Sequence, residues 1–485
     1  MPAKAGIHGA GGSRPAPRRR QVVGRELPVG TGVDYPRAGR RRNRALRRQL
    51  PRARFGPRMH ARKSSTPASP SDDPPNPALG PLMRRAPLLL LAVVSAVAPA
   101  SLHLLVPALP LLASVFRSPP GSVQLVLTLF LAGIAVGQLV YGPISDRFGR
   151  RPVLLWGLVL YLLGTAIAGL ALSLPILILG RVLQAVGGSA GMVLGRAIIR
   201  DLYDRERSTS AIAIVSMTMS LAPSVAPAVG GYLALWAGWR ADFALLGLIG
   251  TAGLILTACR LEETHLTRAP VDVAAMMGSF VLLLRSPAFL GYTLATAFTS
   301  ASWFTFTASA PYLLTRLLHA PLSTYGLMIL LPMGAYMVGA ALLARLTTRF
   351  GSAAFFVAGL ALSLASGGVM ALWSWGLGLS AWSMFVPMAL SSIGNGMSQP
   401  PALAAGLSVY PRIAGAASGL MGFLQMMIAA CGTYLIGQLP QNTAAWMILV
   451  VWAFMLLAFL CGLLALRLPA ASVRAAPAPQ VLTGS

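Results

Sequence analysis

The sequence predicts an all-α integral membrane protein with twelve transmembrane helices in two six-helix halves. Three observations carry that prediction. Of the 485 residues 55% are hydrophobic and only 11% charged, with a mean hydropathy of +0.69. A soluble chain carries about a quarter charged residues, so this one could not cover the surface of a globule. Apolar runs of about 20 residues, the length that crosses a hydrocarbon core of roughly 30 Å, recur along the chain. Arginines, finally, crowd into alternate connections between those runs, as they do where one side of a membrane is favoured.

The chain opens on residues 1–82, which hold 18 Lys or Arg against four acids and are rich in Pro and Gly. Such a stretch buries too little apolar surface to offset its ordering entropy and reads as a disordered tail. Two readings of it stand: a basic arm for anionic lipid or RNA, or a segment outside the functional protein. Met83-Arg84-Arg85 before Ala-Pro-Leu-Leu-Leu-Leu reads equally as a start. The following stretch imitates a signal peptide, but its apolar run continues to about Phe116 and reads as the first span. The spans lie near 87–108, 122–143, 153–172, 175–195, 211–233, 243–260, 288–314, 325–346, 354–375, 382–406, 414–438 and 444–467. The longest polar break runs from Arg260 to Arg285. The expected organisation is therefore a six-helix bundle over 83–260, a central loop over 261–286, a second bundle over 287–467 and a tail over 468–485.

With the N-terminus inside, seventeen arginines of residues 83–485 fall in cytoplasmic segments and three (Arg117, Arg240, Arg316) in external ones. That bias puts both termini in the cytoplasm. The eight acids after residue 83 all fall outside the spans as drawn, and residues 273–485 contain none. Cys259, Cys431 and Cys461 lie in apolar runs, so a disulfide scaffold is excluded. Half of the net charge of +27 sits in the tail, which argues against nucleic acid as the partner of the rest. H-E-x-x-H, P-loop, G-x-S-x-G and Cys-x-x-Cys patterns are absent, and His8, His60, His265 and His319 fall in the tail or in loops. The spacing assembles no metal site and no cofactor site.

The most specific stretch runs from Gly133 to Pro152 and contains Gly142, Asp146, Arg147, Gly149, Arg150 and Arg151 in the spacing G-x-x-x-D-R-x-G-R-R. An acid among arginines at a tight two-helix connection can form an ion network that breaks when two bundles rock apart. This stretch resembles the cytoplasmic signature loop of the major facilitator superfamily, in its Bcr/CflA-type drug efflux branch. The resemblance covers nearly all of residues 87–467. Arg181-Val-Leu-Gln184-Ala-Val-Gly187-Gly188 is similar to the family's fourth-helix pattern, with Ala185 where Gly is usual. Arg200-Asp201, Gly238-Trp239-Arg240 and Glu263-Thr264 match smaller landmarks. The stretch from Pro223 through Pro227 to Gly230 and Gly231 resembles the fifth-helix motif of exporters. Arg345-Leu-Thr-Thr-Arg349-Phe-Gly351 reads as an echo of the first signature, fitting an internal repeat.

Arg181 is the sharpest single residue. A guanidinium within a span faces the bundle interior or snorkels to an interface; the resemblance implies that it lines the central cavity and takes part in proton coupling. In His103-Leu-Leu-Val-Pro107-Ala-Leu-Pro110, His103 stands where the family carries a membrane-embedded aspartate. It reads either as a proton-exchanging group or as a helix histidine bonded to neighbouring backbone. Without an acid in any span, the site would hold His103, Arg181 and Gln184 and would prefer neutral or anionic substrates over cations. Pro223 and Pro227 would kink the fifth helix, and Gly230 and Gly231 would let a partner approach. Candidate substrate-lining residues are Trp303, Phe306, Asn395, Gln399 and Gln425. The resemblance implies a monomeric inner-membrane antiporter that exports small apolar or amphipathic drugs, with the proton gradient as its energy source and no cofactor. A metabolite importer on the same fold is the alternative; a polytopic enzyme or sensor would need clustered His, Asp or Glu at a membrane face.

Overall fold

The computed structural model describes residues 86–203, 205–265, 273–440 and 442–467, so the tails at 1–82 and 468–485 lie outside the described residues. The described chain is helical throughout. Its helices are α1 (Ala86–Leu104), α2 (Leu109–Val115), α3 (Pro120–Phe148), α4 (Arg150–Gly169), α5 (Leu174–Leu202), α6 (Arg205–Ala237) and α7 (Arg240–Arg260). After the central connection come α8 (Val273–Leu284), α9 (Pro287–Arg316), α10 (Leu322–Met328), α11 (Leu330–Phe350), α12 (Ser352–Gly376), α13 (Ala381–Ser408), α14 (Ala414–Gln438) and α15 (Ala445–Arg467). With α1–α2 and α10–α11 each counted as one column, and α8 set aside, twelve columns cross the molecule. Among the described residues nine columns are long and apolar enough to cross a membrane, and α9 passes together with α8. The α6 and α13 columns fall outside that set; in α13 Asn395, Gln399, three prolines and its serines dilute the apolar character.

Three departures from the sequence reading matter. The first span breaks after Leu104 into a single 3-10 turn, Val106–Ala108, before α2 resumes; Pro107 and Pro110 remove the amide donors a continuous helix needs there. The central connection is not wholly polar: α8 is apolar along its length and bends 83° to α9. Twelve residues are too few to span a bilayer. The sixth span begins at Arg240 rather than 243, which brings Asp242 into the first turn of α7.

Within the first half α4 packs on α5 and α7, and α1 on α5 and α6; within the second half α9 packs on α14 and α15, and α13 on α11 and α12. Small residues set the closest of these approaches. A Cβ on Gly187 of α5 would overlap the Tyr161 amide and the Gly157 carbonyl of α4, and one on Gly394 of α13 would overlap the Gly359 carbonyl of α12.

The two halves meet along α3 and α14 and where α6 crosses α10. Call the end that carries the α3–α4 turn the signature face. Toward the opposite face one apolar core joins both halves, with Leu109, Val123, Phe130, Tyr312, Phe385 and Ile436 among its members. Tyr312 Oη donates to Leu109 O at 3.2 Å, Gln124 Nε2 donates to Ala308 O at 2.8 Å, and the Thr128 and Thr433 hydroxyls lie 2.9 Å apart. Toward the signature face the buried residues form a first-half cluster around Leu91, Leu154 and Leu194 and a second-half cluster around Phe289 and Met421, with Leu139 of α3 packed against the second. The molecule is thus sealed between its halves at the opposite face.

The echo of the signature is structural. Gly149 ends α3 at φ +98°, and Gly351 ends α11 at φ +81°, both with ψ 154°. Arg147 lies over the Phe148 ring at 5.2 Å, and Arg349 over Phe350 at 5.3 Å. What the second copy lacks is an acid.

Candidate functional site

Arg181, 1% exposed, anchors a polar network inside the first half. Its Nη1 donates to Gln184 Oε1 at 2.6 Å and to Ser101 O at 3.1 Å, and its Cζ stands 3.8 Å over the Phe130 ring. Gln184 Nε2 donates to Thr165 Oγ1 at 2.9 Å, and Thr165 donates to Tyr161 O at 2.7 Å. Tyr161 Oη lies 2.8 Å from Ser101 Oγ, which closes the network onto α1. Four helices therefore share it: α1, α3, α4 and α5. A buried cation held over an aromatic face and by oxygen acceptors is stabilised without a carboxylate in direct contact. Arg181 does not snorkel. Ala185, the departure from the fourth-helix pattern, is buried against α3, where a Cβ on Gly133 would lie 2.8 Å from its own.

His103 is 6% exposed at the end of α1. Its Nδ1 lies 3.0 Å from Pro99 O, one turn back, and its ring tilts against Phe304 of the second half at 6.0 Å. Nε2 has no partner among the described residues. No hydrogen bond joins His103 to Arg181; the sequence reading put them in one site, and the backbone bond to Pro99 takes up one ring nitrogen instead.

The expectation that no acid is buried in the membrane-spanning part is corrected by Asp242. It is 0% exposed, and neither carboxylate oxygen has a hydrogen-bond partner among the described residues. Sequence reasoning missed it because the sixth span was begun at 243, three residues too late. Tyr161 and Thr165 were missed as well, although their i, i+4 spacing on one helix face was a readable signal.

At the signature face Arg150 organises the loop. Its Nη1 lies 2.6 Å from Asp146 Oδ1 and also donates to Ser145 Oγ, while its Nε lies 3.3 Å from Asp201 Oδ2. Glu263 caps the start of α4: Oε1 accepts from Arg150 N at 2.9 Å and Oε2 from Arg151 N at 3.2 Å. Partial burial works against the ionised form of Glu263. The backbone N–H groups of His265, Arg150, Arg151 and Thr264 outweigh it and hold the carboxyl below its ordinary value. This cap is complete above the ordinary carboxylate range and is lost as pH falls through the lowered value. The network joins α3, α4, α5 and the segment after α7, all in the first half. Among the described residues no ion pair crosses between the halves; Asp146, Asp201 and Glu263 are all engaged within the first half. Arg147 is exposed, and Arg151 donates to Ala258 O at 2.9 Å. Gly142 has nothing within 4 Å of a Cβ, so it is not a close-packing glycine.

Because the Asp146 side chain is 49% exposed and that of Arg150 only 11%, their losses should differ. Asp146→Asn should lower transport a fewfold, in keeping with roughly 0–1 kcal/mol for an exposed pair. Arg150→Gln, which empties both pairs, should lower it further, and Arg147→Gln least. Equal effects from all three, at matched membrane levels, would contradict this ranking.

Pro223 and Pro227 lie inside α6, which continues through both. Gly230 packs on the Leu104 carbonyl where α1 breaks, and Gly231 is buried beside it. Pro227 O lies 2.9 Å from where a Cβ on Gly326 of α10 would stand, so this motif is the crossing between halves. The candidate lining residues scatter. Phe306 is fully buried against Phe385 in the shared core, with Trp303 beside it at 6.5 Å. Asn395 Oδ1 accepts from Ser363 at 3.0 Å, and Gln425 Nε2 donates to Ser300 Oγ at 2.6 Å across α14 and α9. Gln399 is half-buried on α13. The structure does not gather these five into one site with Arg181.

Two halves with a repeated turn, a buried arginine network, and a core shared between the halves toward one face define a multi-pass membrane protein of the transporter class. Residues 91–433 match the family described as Major Facilitator Superfamily. Multidrug resistance protein D of Escherichia coli is 32% identical over 78% of this chain and 94% of its own. The chloramphenicol resistance protein of Pseudomonas aeruginosa is 32% identical over 75% of this chain and 86% of its own. A crystal structure of a D-xylose-proton symporter superposes with a TM-score of 0.63 at 15% identity, over 79% of this chain and 97% of that one, a likeness of fold. The chain belongs to the major facilitator superfamily, in its Bcr/CflA-type branch.

Proposed function

We propose that the protein exports small apolar or amphipathic drug-like compounds across a bacterial inner membrane by alternating access, driven by proton entry. The observation that carries this reading is the fully buried, four-helix Arg181 network lying next to a core that joins both halves toward the opposite face. A carrier needs one face shut while the other can open, and a buried charge whose surroundings change between those states. The arginine bias supports a cytoplasmic signature face and cytoplasmic termini. The two bundles would rock about α3–α14 and α6–α10, breaking the core between them. Relatives named for multidrug and chloramphenicol resistance support export over uptake of a metabolite.

The test is expression in a drug-hypersensitive host with chloramphenicol, which is neutral, and ethidium, a cation, as the probes. The protein should lower chloramphenicol accumulation, and a protonophore should abolish that effect. The buried Arg181 favours the neutral probe. Preference for ethidium would overturn the charge argument, and accumulation unchanged for both would overturn export of these classes.

A further inference from the structure

We propose that Asp242 is the proton-accepting group of this carrier, with Arg181 across the bundle as its counter-charge. The inference rests on the reading of the chain as a proton-driven exporter and adds a site that the helix-one histidine does not explain. Asp242 is the only fully buried carboxylate among the described residues. Both of its oxygens are unpartnered, as is Arg181 Nε. An isolated ionised carboxylate cannot be held in a dry interior at tolerable cost. It must carry a proton or be balanced by a cation, and Arg181 is the one buried arginine among the described residues. The other titratable groups on the elements packed against α7 are placed differently. Tyr161 on α4 is engaged with Ser101, His103 on α1 with Pro99, and Tyr232 on α6 is exposed. On α7 itself Arg240 is exposed and donates to Ala171 O at 3.0 Å.

The surroundings supply the gate. Phe243 follows Asp242 and Trp239 lies three residues before it; their rings meet edge-on at 5.9 Å, and Phe116 just after α2 packs on Trp239 at 5.7 Å. Trp239 and Phe243 belong to the core that joins the halves at the opposite face, and Phe116 packs against it. With that core intact, water does not reach the carboxyl. When the halves part there, a proton from the outer aqueous phase can bind one carboxylate oxygen, giving the neutral acid and freeing Arg181 from its counter-charge. Release of that proton restores the carboxylate. The site changes by one unit of charge in step with the conformational change, which is what coupling requires.

Infrared difference spectra of the purified full-length protein, recorded as pH is stepped through the neutral range, test the site without reference to any substrate. The carbonyl stretch of a protonated, unhydrated carboxyl should titrate in the wild-type chain and vanish in Asp242→Asn. In proteoliposomes with an imposed pH gradient, Asp242→Asn should cut gradient-driven chloramphenicol export by about tenfold or more and flatten its pH profile. Asp242→Glu should restore the profile. A carboxyl signal that survives in Asp242→Asn, or none in the wild type, overturns the proposal; the wild-type spectrum decides even if the variant does not fold. A flattened profile in His103→Gln with an unaltered one in Asp242→Asn would overturn it too, returning the proton to the histidine. Failure of the wild-type chain to move chloramphenicol, with the Asp242 signal present, would count against the exporter reading and not against the proton site.

Discussion

Arg181→Gln should abolish proton-driven export and cost about 3–5 kcal/mol of stability, the range for emptying one side of a buried ionic arrangement. The guanidinium is 1% exposed, supplies the donor to Gln184 Oε1 and Ser101 O, and is the one buried arginine among the described residues, the counter-charge proposed for Asp242. Glutamine can replace one of those hydrogen bonds but not the charge. The signature of this mechanism lies in the double variant. At alkaline pH, where an unpaired carboxyl must ionise, Arg181→Gln with Asp242→Asn should melt at a higher temperature than Arg181→Gln alone, because the stranded charge is gone. Arg181→Lys should be intermediate in stability, since an ammonium keeps the charge and loses the flat face over Phe130. Thermal midpoints in detergent check the order. A double variant no more stable than the single one would show that the two charges do not sense each other enough to matter.

Gly187→Leu should all but eliminate folded protein. The α4 and α5 backbones approach so closely that even a Cβ at 187 would overlap Tyr161 N and Gly157 O, and the neighbouring contacts at Gly164 and Gly180 repeat the arrangement one and two turns away. Neither neighbour is a flexible side-chain tip that could swing aside, so the helices would have to separate. Overpacking of a closed core costs about 1–3 kcal/mol, and more where backbone must move. The separation would also draw Tyr161 and Thr165 away from Ser101 and Gln184, so traces of folded protein should be inactive. Gly142→Ala is the control: nothing lies within 4 Å of its Cβ, and alanine is the better helix former by roughly 0.5–1 kcal/mol. Size-exclusion profiles of the two variants should differ sharply. A monodisperse, active Gly187→Leu protein would refute the close-packing account.

Much of the architecture could be read along the chain because bilayer solvation acts on each span separately. A stretch of about 20 apolar residues declares itself without reference to any partner. The arginines flanking it declare a side in the same local way. The loop from Asp146 to Arg151 was legible for a similar reason: Gly149, Arg150 and Asp146 are neighbours in sequence, so their turn and ion pair are local. The same holds for Arg345 to Gly351, which repeats the turn without the acid.

The site was legible only in part. Arg181 and Gln184 stand one helical turn apart, and their bond is a matter of spacing on α5. Their partners are not. Ser101, Tyr161, Thr165 and Asp242 come from three other helices, and nothing in the order of the residues says that these four face Arg181. The sequence by itself determined the all-helical membrane architecture and singled out the arginine within a span. Only the tertiary structure decided that His103 turns back onto Pro99 and that the ion network stays within one half. It alone places an acid two residues past a helix start beneath the aromatic core at the opposite face. The physical reason is that hydrophobic burial in a bilayer is set residue by residue, whereas the pairing of polar groups within it depends on which helix faces the packing of small residues brings together.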